Sequence, residues 1–262
     1  MPPDPQDEFH EQALLAIRSS RLLGRLDDED LGAVLEYGTV LRRGRDGLLL
    51  ARGDDQVLVL LSGAAKEHLD TPTDPEVVLR ILGPGDAAGL SNALGTPSGG
   101  DVTALGICHA LVLPGTALRY LARAHPAITS AWLRTVTEQL DDLRTRVWAF
   151  ASTSTSQRVT CRLLELSGRF GEQVDGERRV RCELTQAELA SWAGASREST
   201  AKALHELRRA QLVTTRRRQL TILDPAALER RHGDCPRHRT PRGDDQDEEL
   251  VVHLPDTTDL AR

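Results

Sequence analysis

No stretch of this sequence approaches the ~20 consecutive apolar residues that a membrane-crossing helix needs, so no membrane partner is expected. No secretory or transit leader is recognisable: MPPDPQDEFHEQ is acidic and proline-rich, which leaves the cytoplasm as the expected compartment. Paired cysteines are absent as well. Cys108, Cys161, Cys182 and Cys235 are scattered without a C-x-x-C, the pattern of reduced thiols and not of a disulfide framework. Lysine is nearly missing, with only Lys66 and Lys202 among 33 basic residues. Beside abundant alanine, leucine and glycine this is the mark of a GC-rich genome, so arginine number by itself carries no functional weight. The sequence has no nucleophile motif and no glycine-rich loop opening a helix, so enzymatic chemistry is not expected.

What is present suffices for two compact domains: 262 residues, 39% hydrophobic and 27% charged. The net charge of −6 is unevenly spread, with −7 on residues 1–151, +5 on 152–231 and −4 on the remainder. One basic segment in an acidic chain points to a polyanion met by that segment alone.

From Tyr37 to Pro114 short apolar runs alternate with glycine turns, the pattern of an all-β barrel or jelly roll. Helical spacing precedes them at Glu11–Leu23 and Asp28–Glu36, and Gly115–Ala124 is a short helix ended by His125–Pro126. In Ala127–Phe150 the apolar residues Leu133, Val136, Leu140, Leu143, Val147 and Phe150 alternate at three- and four-residue spacing. Such a narrow stripe fits a seam between two paired helices; a helix packed on its own domain needs a wider one. Ala151–Ser156 reads as a hinge, Gln157–Arg169 as an amphipathic helix and Gly171–Arg181 as a charged loop.

The most specific signal runs from Leu184 to Leu207. Thr185 and Glu188 form a capping-box pattern that starts a helix. Gly194 supplies a tight turn, and Ser196 caps a second helix whose buried face is Thr200, Ala203, Leu204 and Leu207. Two short helices about such a turn make a helix-turn-helix. The second exposes Arg197, Glu198 and Lys202 near its N-terminus, where recognition helices reach base edges. Arginine can donate twice to guanine and glutamate can accept from cytosine. A plain Glu198–Lys202 surface pair is the competing reading. Gln211–Leu223 follows as a hairpin with Arg216, Arg217 and Arg218 at its tip, suited to clamping phosphates, and a last short helix begins at Asp224–Pro225.

Taken together, these elements resemble the Crp/Fnr superfamily of transcription regulators, over about residues 12–230. Ser196-Arg-Glu-Ser-Thr-Ala-Lys202 is similar to that family's S-R-E-T-x-x-R reading helix. The resemblance implies an α+β chain with a cyclic-nucleotide-binding-like β-roll at 11–126, a dimerisation helix at 127–151 and a winged helix-turn-helix at 152–231. A flexible N-terminus is expected at 1–10 and a disordered tail at 232–262. It implies that Arg197, Glu198 and Lys202 read a TGTGA-like half-site, with lysine in place of the usual arginine at 202. Thr185, Ser196, Ser199 and the wing arginines would hold the DNA backbone. Double-stranded DNA and a second copy of the chain are the expected partners, while RNA polymerase and an unidentified small ligand stay open. A second reading also stays open, in which the β-roll docks a protein partner and DNA binding is secondary.

Nucleotide-binding members of the family hold the ribose with a glutamate and the cyclic phosphate with an arginine–serine pair, in a cassette after a Gly-Asp turn. Here Gly85–Asp101 corresponds, which places Leu90 at the glutamate and Gly100–Asp101 at the pair. No lysine or arginine lies between Ile81 and Leu118, so the cassette lacks a cation for a phosphate, and Asp101 would repel one. Cyclic AMP is therefore not expected to gate the protein. No cofactor is expected either. Iron–sulfur members use an N-terminal cysteine cluster that is missing here, and neither His68 nor His109 alone makes a haem site. His232-x-x-Cys235-x-x-His238 has metal-compatible spacing but sits in a hydrophilic tail without a core, so no metal is expected.

Overall fold

The computed structural model describes residues 13–72, 76–96, 99–174, 177–216 and 219–232. Helix α1 (13–19) leads through turns to α2 (Asp28–Glu36), which Asp27 caps by accepting the Asp30 N–H at 2.8 Å. Three acidic residues in the first turn of α2 suit the positive end of its dipole.

Eight strands then build two four-stranded antiparallel sheets. One orders β1 (Thr39–Arg43), β8 (Cys108–Pro114), β3 (Gln56–Ser62) and β6 (Ala87–Ala88). The other orders β2 (Leu48–Leu50), β7 (Asp101–Ala104), β4 (Ala65–Leu69) and β5 (Val77–Leu82). Strand β3 shows why its sequence is apolar throughout. Val57, Val59 and Leu61 face a cluster with Leu22, Leu118 and Trp132, while Leu58 and Leu60 face the second sheet beside Leu82 and Val102. Side chains alternate across a strand, so burial on both faces demands an unbroken apolar run.

Helix α3 (Gly115–Ala124) ends at His125, and Pro126 opens the 27-residue α4 (Pro126–Ser152), where a missing N–H costs nothing. The first half of α4 buries Ile128, Ala131, Trp132 and Thr135 against the roll. Of the six seam residues, Leu133, Leu140, Leu143, Val147 and Phe150 are exposed, whereas Val136 packs partly on the roll's own core.

Two expectations need correction here. The six-residue hinge is shorter than it reads, because α4 runs to Ser152 and α5 (Thr155–Phe170) begins three residues on. Ser154 forms a capping box with Gln157, which converts most of the hydroxyl-rich stretch into helix ends. The charged loop Gly171–Arg181 is a hairpin, β9 (Gly171–Val174) with β10 (Glu177–Val180). Strand β10 pairs with β12 (Gln219–Ile222), which pairs with β11 (Val213–Arg216), so hairpin and wing form one four-stranded sheet.

Helices α6 (Gln186–Trp192), α7 (Arg197–Arg209) and α8 (Pro225–His232) complete this unit. Its core joins Leu163, Leu189, Trp192, Leu204, Leu207 and Ile222, and it takes in Val78, Ile81 and Leu105 from the roll. The two units thus share a buried apolar boundary. Among the described residues, no helix is long and apolar enough to cross a membrane.

Candidate nucleic-acid interface

The helix-turn-helix is built by caps. Thr185 accepts the Glu188 N–H at 3.1 Å, and Glu188 returns the bond by accepting the Thr185 N–H at 2.7 Å. At the turn Gly194 adopts φ +58°, a left-handed value that a side chain would strain. The Ala195 N–H then closes on the Ala190 carbonyl at 3.0 Å. Ser196 starts α7 by accepting the Ser199 N–H at 3.0 Å, and the two hydroxyls lie 2.9 Å apart. The buried side of α7 is Thr200, Ala203, Leu204 and Leu207.

That burial turns the opposite side of α7 outwards. Ser196, Arg197, Glu198, Ser199 and Lys202 are all exposed. The competing Glu198–Lys202 ion pair does not form among the described residues, so both side chains stay available. A cation, an anion and a second cation on one face, at the positive end of a helix, can meet guanine, cytosine and phosphate groups. Thr185 is half-buried beside them at the start of α6.

The wing sits at the other end of α7, where Arg208 Nη1 donates to Thr215 Oγ1 on β11 at 2.9 Å. Arg216 is exposed at the end of β11. Arg217 and Arg218 lie outside the described residues, as do 1–10 and the His232-x-x-Cys235-x-x-His238 tail beyond the backbone of α8.

Sequence reasoning missed how deeply the reading unit is tied to the roll. Glu188 is buried and meets Lys66 of β4, whose Nζ lies 3.0 Å from Oε1. Lys66 also bonds Glu76, and Arg45 Nη2 stands 3.6 Å from Glu188 Oε2. Burial pushes the Glu188 carboxyl up, but hydrogen bonds from Thr185 and Lys66 outweigh it and hold the group below its ordinary value. Burial likewise disfavours the Lys66 charge, yet Glu76 and Glu188 raise its pKa above the usual lysine range. Ser191 of α6 adds a second tie, accepting the Val78 N–H and donating to the Glu76 carbonyl, each at 2.8 Å. The one available signal was the rarity of lysine. Where arginine is the default cation, a lysine stands out, and here its single ammonium sits between two carboxylates.

Arg158 of α5 stacks over Phe150 at 5.0 Å and donates to the Ala193 and Gly194 carbonyls at 3.0 and 3.1 Å. The end of α4 therefore braces the helix-turn-helix turn.

In the cassette, Leu90 is a core residue at 2% exposure, packed with the α1–α3 cluster and closed to a polar ligand. Asp101 accepts the Arg52 N–H at 2.7 Å. Gly100 lies against β4 so closely that a Cβ there would stand 2.1 Å from the His68 carbonyl oxygen. Both histidines are engaged, His68 with Thr103 at 2.8 Å and His109 with Ser62 at 2.9 Å. Cys108, Cys161 and Cys182 are buried and form no disulfide, and no metal-binding cluster occurs among the described residues.

Comparison with known proteins agrees with this geometry. A cyclic nucleotide-binding domain model matches residues 45–125, and a Crp-like helix-turn-helix domain model matches 157–231. The CRP-like cAMP-activated global transcriptional regulator of Mycobacterium tuberculosis is 31% identical over 194 residues, spanning 74% of this chain and 84% of that protein. Among solved structures, a CRP-family transcriptional regulator from Thermus thermophilus superposes with a TM-score of 0.64 at 24% identity, covering 74% of this chain and 97% of its own. The c-di-GMP responsive global regulator CLP of Xanthomonas campestris gives 0.64 at 18% identity, over 76% of this chain and 100% of its own. A β-roll, a long helix and a capped helix-turn-helix in this order, the two domain matches and 31% identity to the mycobacterial regulator place the chain in the Crp/Fnr family of DNA-binding transcription regulators.

Proposed function

We propose that the protein regulates transcription as a homodimer on a near-palindromic site, with one α7 in each of two successive major grooves, and that cyclic AMP does not gate it. The observation that carries this reading is the free face of Arg197, Glu198 and Lys202 at the N-terminal end of a helix capped by Ser196. Dimerisation is supported by the five exposed seam residues of α4, an apolar stripe that a lone chain would leave in water. Independence from cyclic AMP is supported by Leu90, whose side chain cannot accept from a ribose hydroxyl, and by Gly100 and Asp101, which offer no cation for a phosphate.

The test is genome-wide mapping of bound DNA, followed by titration of the purified protein on the recovered site and on a scrambled duplex. Arg197→Ala is expected to cost about 1–3 kcal/mol on the specific duplex and to flatten preference at one G·C pair per half-site. Equal loss on both duplexes would remove Arg197 from base reading.

A further inference from the structure

Strand β4 sends successive side chains to opposite faces. Lys66 points to α6, whereas Glu67 points into the roll, where it is 7% exposed. There Glu67 is fully partnered. Arg80, directly opposite in the β4–β5 register, donates from Nε to Oε2, and the Gly100 N–H donates to Oε1 at 3.2 Å. Arg80 also donates from Nη2 to the Ala87 carbonyl at 2.8 Å. The same carbonyl accepts Gln139 Nε2 from α4 at 3.0 Å. One network therefore joins the end of the cassette, strand β5 and the long helix that carries the seam.

A guanidinium and a backbone N–H donating to the two oxygens of one carboxylate is the chemistry of an anion site. Leaving that partly buried guanidinium without its anion would be destabilising. We propose that Arg80 and Gly100 form an anion site inside the β-roll and that Glu67 is its resident ligand, a carboxylate carried by the chain in place of a diffusible anionic effector. This rests on the reading that cyclic AMP does not gate the protein, and it names what replaces the nucleotide. An effector can shift a conformational equilibrium only while bound. A carboxylate fixed at Glu67 occupies the site in every copy, so the tie through Ala87 to α4 holds without any external signal.

Chemical rescue tests the assignment. Full-length wild type, Glu67→Ala, Glu67→Gln and the double variant Glu67→Ala/Arg80→Met are compared in sodium acetate and in sodium chloride of equal ionic strength. Melting temperature reports the site, and affinity for the specific duplex reports its consequence. Glu67→Ala is expected to melt lower and to bind DNA about tenfold more weakly, with acetate but not chloride restoring most of both losses. Wild type and the double variant should ignore acetate. Glu67→Gln fills the space without the charge, so it should fold, bind DNA more weakly than wild type and also ignore acetate. The proposal is overturned if acetate does nothing for Glu67→Ala, or rescues the double variant equally well. Restored melting without restored DNA affinity leaves the site standing and overturns its role as effector. Should Glu67→Ala fail to fold in either salt, wild-type DNA affinity in Glu67→Gln overturns the proposal, and weakened affinity supports it. A separate arm adds cyclic AMP to wild type. A gain in DNA affinity there sinks the underlying reading, whereas failed acetate rescue with a silent cyclic AMP arm sinks only this one.

Discussion

Replacing Lys66 with methionine keeps the stem of the side chain and deletes its ammonium from between Glu76 and Glu188. Removing one member of a buried ion pair typically costs ~3–5 kcal/mol, because the remaining charge is left unpaired. Two features of the site reduce that figure. Glu76 is about a fifth exposed, and Glu188 keeps the Thr185 N–H at 2.7 Å and Arg45 at 3.6 Å. A loss of about 2–4 kcal/mol is expected, which for a chain of this size lowers the melting temperature by roughly 5–15 °C. Scanning calorimetry measures it, and the double variant Lys66→Met/Glu188→Gln should recover more than half, since no uncompensated charge then remains at Glu188. The pH dependence has a defined sign. Glu188 is held below its ordinary 4.5, so its contribution is complete above that pH and is lost as pH falls through the lower folded value. The difference between wild type and Lys66→Met should therefore close below pH 4.5. A Lys66→Met melting point within about 2 °C of wild type, or additive single and double variants, would refute the buried network as a tie between the units.

Charged residues in place of Leu140 and Leu143 should yield a monomer by sedimentation, and a persistent dimer would overturn the seam. Neutralising Arg216 together with Arg217 and Arg218 should weaken binding to all duplexes alike and lower the slope of log affinity against log salt by about one unit per lost phosphate contact. Burial pushes the Cys182 thiol up to about 12, so maleimide at pH 8 should label it only when the chain unfolds. Labelling of the native protein at that residue would contradict its position in the core.

Local signals made much of the fold legible. Asp28–Glu36 and Gly115–Ala124 are helices with the bounds their spacing predicts, and Thr185 and Ser196 cap the helices they precede. Side-chain period and capping depend on neighbours within one turn, which a sequence displays directly. The hairpin at Gly171–Val180 was hidden because its strands are short, charged and mostly half-exposed, and β10 is held by β12, some forty residues on. Ser154–Gln157 carried the same box signal as Thr185–Glu188 but was masked by the surrounding hydroxyl residues. At the candidate interface, the outward side of α7 could be read from the positions of its buried residues. The bond from Lys66 to Glu188 spans 122 positions and leaves no local trace.

Gly100 bears on what it would take to build a cyclic-nucleotide receptor into this roll by design. An arginine introduced there would bring a Cβ to within 2.1 Å of the His68 carbonyl oxygen, a backbone atom that cannot swing aside. The Glu67 carboxylate, which accepts the Gly100 N–H, would remain beside it, and Leu90 would still seal the place of a ribose partner. A single substitution therefore lowers stability without creating a receptor. Such a design needs the loop rebuilt, the Glu67 carboxylate removed and the core Leu90 exchanged together. With the backbone this close to β4, the cassette geometry cannot be changed one side chain at a time; the loop and the strand beneath it have to be redesigned as a unit.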